Sequence, residues 1–163
     1  MNEINPQPQG NRRRLGIAVA RFNAEVTEML LTGCREALVD HGVADGEITV
    51  VRVPGAWELP LACQHMIATG RFDAVIALGA VVRGETAHFE FISGECARGL
   101  MQLAAETGVP VGFGVLTPEN GDQARYRADP GSGNKGREVA LAALEMIDLA
   151  DRVADHGAAG DGS

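Results

Sequence analysis

Aromatic side chains are scarce in this chain, at 4% of 163 residues, with one tryptophan and one tyrosine. Positive charge is also short. Lys+Arg 14 against Asp+Glu 22 leaves a net charge of −8, which argues against nucleic acid as a partner. Lys135 is the sole lysine, so any phosphate site must be built locally against the overall field. Cysteine is limited to Cys34, Cys63 and Cys96, an odd number with no short spacing. Each falls on an apolar helix face, which reads as buried reduced thiols rather than disulfides or metal ligands. His88, with Phe89 and Glu90 beside it, has no second ligand at usable spacing, so no metal is expected there. No run is long and apolar enough to span a membrane. The segment from Met1 to Arg14 is polar, unlike a signal peptide, so a cytoplasmic location is expected.

What is present is an ordinary hydrophobic content of 45%, enough for one domain with one core. Residues 1–13, with Pro6 and Pro8, read as an extended arm, disordered or ordered by another subunit. The domain covers 14–154. Leu15 to Ala20 is a continuous apolar run, the mark of a strand buried on both faces. Asn23 is suited to cap the next helix. That helix carries a stripe of Val26, Met29, Leu30, Gly33, Cys34, Ala37 and Leu38, and Gly42 closes it. Ile48 to Val53 reads as a second strand. A helix follows with Pro60 near its start and Leu59, Ala62, Cys63, Met66 and Ile67 facing the core.

Ala74 to Val82 reads as the third strand. The next helix buries Phe89, Ile92, Ser93, Cys96, Leu100, Leu103 and Ala104 and stops at Gly108. Val109 to Leu116 reads as the fourth strand, and Asp122 to Arg127 as a short polar helix. Asn134 can cap a final helix whose apolar face includes Val139, Ala143, Met146, Ile147 and Ala150. Residues 155–163 read as a flexible tail. Four strand–helix alternations predict an α/β fold: a three-layer α/β/α sandwich on a four-stranded parallel sheet with flavodoxin-like connectivity.

In such a sheet the loops past the strand ends converge on one crevice. Phe22, Ala56 to Glu58, Gly84 to His88 and Thr117 to Asn120 all lie there. The stretch after strand three carries the most chemistry. A glycine-flanked turn leads into a helix start, whose free N–H groups and dipole favour an anion. His88 sits in that first turn and can carry protons near neutral pH. A surface histidine at a helix start is the plain alternative for His88, as core packing is for Phe22 and Trp57. With so few aromatics, both falling in turns beside the crevice, stacking on a flat heterocycle is the sharper reading. Gly131-Ser-Gly-Asn-Lys-Gly136 has the G-x-G-x-x-G spacing of a dinucleotide loop. It follows a charged segment rather than a strand, so its glycines are read as backbone turns.

Four motifs taken together, Arg21-Phe-Asn23, Val53-Pro-Gly-Ala-Trp-Glu58, Gly79-Ala-Val-Val-Arg-Gly-Glu-Thr-Ala-His88 and Gly133-Asn-Lys-Gly136, resemble lumazine synthases in order and spacing, from about Leu15 to Leu149. The resemblance implies a reaction. 5-Amino-6-(D-ribitylamino)uracil condenses with 3,4-dihydroxy-2-butanone 4-phosphate to give 6,7-dimethyl-8-ribityllumazine, phosphate and water, without cofactor or metal. It also implies roles. Phe22 stacks on the pyrimidine. Ala56, Trp57 and Glu58 hold the ribityl chain. Ala80, Val81 and Val82 offer backbone groups to the uracil edge. Glu85 and Thr86 line a phosphate pocket, and His88 moves protons. Phe113, Arg127 and Lys135 reach the site from a neighbouring subunit, with Arg127 on the phosphate.

The family forms pentamers, some built into 60-subunit shells. The short loop between Arg127 and Asn134 leans toward a shell. Glu85 departs from the small neutral residue of many relatives, which implies that its carboxylate turns away from the anion. The loop Asp129-Pro-Gly-Ser132 departs as well. Two other readings stand beside the enzyme. One is a non-catalytic lumazine- or flavin-binding shell protein, which would not need His88 or Arg127. The other is a flavodoxin-like nucleotide module, for which Arg21-Phe22-Asn23 lacks a phosphate loop's glycines or hydroxyls.

Overall fold

The computed structural model describes residues 1–160. The strands are β1 (Leu15–Ala20), β2 (Ile48–Val53), β3 (Ala74–Ala80) and β4 (Val111–Leu116). The helices are α1 (Ala24–Asp40), α2 (Leu59–Ala68), α3 (His88–Thr107), α4 (Gly121–Ala128) and α5 (Lys135–Gly160). All strand pairs are parallel, in the order β2-β1-β3-β4. β1 pairs with β2 from Leu15↔Ile48 and with β3 from Leu15↔Ala74.

The two-residue period of a strand sorts the core. Leu15, Ile17 and Val19 of β1 and Ala74, Ile76 and Leu78 of β3 pack with α1, α4 and α5. Ala18 and Ala20 of β1 and Val75 and Ala77 of β3 face the opposite way, toward α2 and α3. Burial on both faces explains why β1 and β3 are apolar at every position. The arrangement is the expected α/β/α sandwich with helices on both faces.

β3 ends at Ala80 rather than at Val82. The β1–β3 pairing ends at Val19↔Leu78 and the Arg21 and Phe22 N–H groups bond the β2 side, while the Val81 N–H bonds Leu116 on the β4 side. β4 begins at Val111 rather than at Val109, because Pro110 has no N–H to offer the ladder. The α5 face also differs from the expected stripe. Gly136, Val139, Ala140, Ala143, Leu144 and Ile147 are buried, while Met146 is half exposed and Ala150 faces solvent. The cause is the close crossing with α1. A β-carbon built on Gly136 would overlap the Leu30 carbonyl oxygen and lie 2.9 Å from the Cys34 nitrogen. Backbone meets backbone there, so the smallest residues mark the contact.

The arm has no regular structure and bonds the end of α1 and α5 of the same chain. The Gln7 N–H donates to Asp148 at 2.7 Å, the Gly10 N–H donates to the His41 carbonyl at 2.8 Å, and Arg13 pairs with Asp151. At the other end α5 continues through Gly160, with residues 151–160 exposed. Alanines at 154, 158 and 159 sustain helix there without packing. Residues 161–163 of the expected tail lie outside the described residues.

Candidate active site

The β1–β2 ladder runs past the strand ends. The Arg21 N–H donates to the Val53 carbonyl at 2.8 Å, and the Phe22 N–H to the Pro54 carbonyl at 3.0 Å. These bonds fix the Phe22 backbone while leaving its ring 71% exposed. Next to it, one turn of 3-10 helix spans Ala56–Glu58. The Gly55 N–H donates to Glu58 Oε2 at 3.0 Å. That bond closes the turn and presents Trp57, 58% exposed, with Pro60 starting α2 behind it.

Asn23 corrects the expected cap. It does precede α1, but its side chain makes no cap bond and its backbone is left-handed, with φ 61°. This geometry sends Nδ2 across to the Ala80 carbonyl, a bond of 2.9 Å. Past β3, the Val81 N–H donates to Leu116 at 2.8 Å and the Arg83 N–H to Pro118 at 3.0 Å. Backbone groups alternate sides along extended chain. The Ala80 carbonyl and the Val82 amide therefore turn from β4 toward Phe22 and Asn23, while the Val81 N–H is already committed.

The segment from Arg83 to His88 is exposed along its length. α3 starts at His88, whose N–H donates to Thr86 Oγ1 at 3.4 Å. Phe89 turns back into the protein and is buried. Between these walls lies a cleft of about 440 Å³. Phe22, Ala56, Trp57, Glu58, Ala80, Val81, Val82, Thr86 and His88 line it. Glu85 does not, although Gly84 and Thr86 on either side do. Asn23, Pro54, Phe89 and Ile92 also line the cleft. Of these, Asn23 was open to discovery from sequence only through its place in the motif with Phe22.

Phe113, Arg127 and Lys135 are elsewhere. They share a second cleft of about 420 Å³ with Thr117, Gly133 and Glu138. Lys135 Nζ is paired with Glu138 at 2.7 Å. Among the described residues Arg127 makes no ion pair. A larger hollow of about 640 Å³ lies along α1 and β2. It is lined by paired charges, Arg35 with Asp45 and Arg52 with Glu28, and has none of the carboxyl-edge loops. No group of three His, Cys, Asp or Glu among the described residues is placed to hold a metal ion.

The chain is a parallel α/β sandwich with two exposed aromatic rings and a helix-start histidine around one cleft at the carboxyl edge of the sheet, the place where α/β proteins of this class bind ligands. The family model for 6,7-dimethyl-8-ribityllumazine synthase matches residues 12–151, and the chain belongs to that family. A 6,7-dimethyl-8-ribityllumazine synthase of Lactiplantibacillus plantarum is 50% identical over 149 residues, covering 91% of this chain and 94% of the relative. One from Gemmatimonas aurantiaca is 48% identical over 152 residues, covering 93% of each.

Proposed function

We propose that this chain condenses 5-amino-6-(D-ribitylamino)uracil with 3,4-dihydroxy-2-butanone 4-phosphate, giving 6,7-dimethyl-8-ribityllumazine, phosphate and water. The observation that carries this reading is the single cleft where Phe22, Trp57, Glu58 and His88 meet, in a chain of the lumazine synthase family.

The uracil ring lies on Phe22, with its edge on the Ala80 carbonyl and the Val82 amide. The ribityl chain runs along Ala56 and Trp57 toward Glu58. One Glu58 oxygen holds the turn through Gly55, and the other accepts from ribityl hydroxyls. The butanone phosphate sits at the start of α3, where N–H groups without helical partners favour an anion. The amine attacks the ketone and water leaves. Phosphate is then eliminated, and the ribitylamino nitrogen closes the ring on the carbonyl that results, expelling a second water. Each step moves a proton, and His88 carries it. No step needs a nucleophile from the protein, so holding the two substrates face to face supplies much of the rate.

Phosphate is both handle and leaving group, and a guanidinium stabilises its departing charge. Arg127 serves that role from a neighbouring subunit, together with Phe113 and Lys135. The second cleft, with a 42% exposed Phe113 and an Arg127 that makes no ion pair among the described residues, supports this arrangement. The working form is then a homopentamer, free or assembled into a 60-subunit shell. Residues 14–154 are the catalytic unit, and the enzyme works in the cytoplasm. Among the described residues no helix is long and apolar enough to cross a membrane.

The test is direct. Purified protein mixed with the two substrates produces the fluorescent lumazine faster than the spontaneous condensation. A rate equal to the spontaneous one refutes the proposal.

A further inference from the structure

Arg83 has no part in the chemistry above, yet it sits at the centre of the most connected charge cluster near the cleft. Its guanidinium bonds Glu90 through Nη1 at 2.6 Å and Glu119 through Nε at 2.8 Å. It also lies over the Phe89 ring, 4.5 Å from the centroid. Its N–H donates to the Pro118 carbonyl at 3.0 Å. One residue thus touches the first turn of α3, the β4–α4 connection and an aromatic ring that lines the cleft.

The segment it precedes has little else to hold it. Gly84 to His88 is exposed, and a β-carbon on Gly84 would meet nothing within 4 Å. Thr86 offers its one weak bond to His88. The Arg83–Glu90 pair closes a loop around these residues. Both ends of the segment are therefore pinned, at Arg83 itself and at the α3 turn that carries His88 and Phe89. A lone exposed ion pair would contribute little. A planar guanidinium shared by two carboxylates and a ring fixes orientation, which is what a loop of free N–H groups requires.

We propose that Arg83 is a positioning residue: it brackets the Gly84–His88 segment so that the helix-start amides and the His88 imidazole hold one arrangement facing the cleft. The kinetic part of this proposal rests on the reaction proposed above; the bracket itself does not.

The experiment compares Arg83→Gln, Arg83→Lys and Glu119→Gln with the unmodified protein. The first readout is amide hydrogen exchange without substrate. Arg83→Gln speeds exchange at residues 84–88 by about tenfold or more, while the amides of β1 and β3 keep their rates. Glu119→Gln, which removes one exposed partner and spares the fold, gives a smaller increase in the same segment. Arg83→Lys falls between the unmodified protein and Arg83→Gln. The second readout is steady-state kinetics. In Arg83→Gln, kcat drops and KM for the butanone phosphate rises, each about three- to tenfold, with KM for the pyrimidine within about twofold. Unchanged exchange at 84–88 in Arg83→Gln overturns the proposal. So does an increase spread evenly over the sheet, or an equal rise in both KM values. If the unmodified protein makes no lumazine, the reaction proposal falls, and the exchange comparison still decides the bracket.

Discussion

His88 and Arg127, the proton carrier and the phosphate partner of the proposed reaction, open into different clefts of one chain. A site built from both therefore needs two chains. His88→Ala and Arg127→Ala each lower activity by about a hundredfold. Refolding the two variants together in equal amounts restores some sites, where an intact His88 meets an intact Arg127. Random assembly around a ring makes these about a quarter of all sites, so activity returns to about a quarter of the unmodified level. No recovery in assembled mixtures would mean that each chain works alone.

Asn23 ties the ends of β1 and β3 together through the Ala80 carbonyl, and does so from a left-handed backbone. Asn23→Gly keeps the backbone conformation and loses the bond. Asn23→Ala loses the bond and forces a β-carbon into a disfavoured region. Chemical denaturation should rank Asn23→Ala below Asn23→Gly in stability, by about 1 kcal/mol. Calorimetric affinity for the pyrimidine should fall in both. Equal stability of the two variants would show that the conformation carries no cost.

Two glycines of α5 answer the same substitution with opposite signs. Gly136→Ala pushes a methyl into the α1 backbone at Leu30 and Cys34, and should lower unfolding free energy by about 2–3 kcal/mol. Gly157 is exposed and helical, with nothing within 4 Å of a built β-carbon. Gly157→Ala should raise helix content and leave stability equal or up to about 1 kcal/mol higher. Thermal melts of the two variants decide both signs.

The three thiols are free and buried. Burial pushes Cys34 and Cys63 up to about 12, with the neighbouring Cys96 adding to the effect on Cys63, and Cys96 itself to about 11. Unfolded thiols titrate near 8.5. Between those values the unfolded chain binds fewer protons than the folded one. Stability therefore falls as pH rises, by up to about 1.4 kcal/mol per pH unit for each thiol. Denaturation midpoints should be insensitive to these groups below about pH 8 and drop between pH 9 and 10.5. Cys34→Ala should flatten that drop. At pH 8 a thiol reagent should label none of the three in the native protein and all of them after unfolding.

How much the chain discloses depends on how local the cause is. β1 and β2 are legible to the residue because Arg14 and Arg21 bound the apolar run of one, and Glu47 and Pro54 bound the valine- and isoleucine-rich run of the other. The strand ends near Val81 and Val109 are set by neighbours: past Ala20 the backbone N–H groups of the β1 chain bond the β2 side in one case, and Pro110 lacks a donor in the other. The α5 stripe points toward Met146 and Ala150 because a helical period sorts positions by hydrophobicity and not by how closely two backbones approach. The real seam is set by Gly136 and Ala140, where two backbones approach. Around the cleft, loops that leave strand ends could be placed from sequence. The Asn23–Ala80 bond could not, since cap preference gives its position in the chain and not its φ. Nor could the Arg83 cluster, because Glu90 and Glu119 reach it from separate elements. The docking of the arm on Asp148 and Asp151 joins residues far apart in the chain and leaves no periodic trace.

Trp57 is the only indole in the chain, and it stands at the rim of the cleft beside Phe22. Light absorbed near the red edge of the protein band is therefore emitted from a single known place. A heterocycle entering the cleft that both rings line changes the emitter's surroundings and dims or shifts its glow, whereas events at the arm or along α5 leave it alone. The molecule carries its own optical occupancy gauge, with no label to attach.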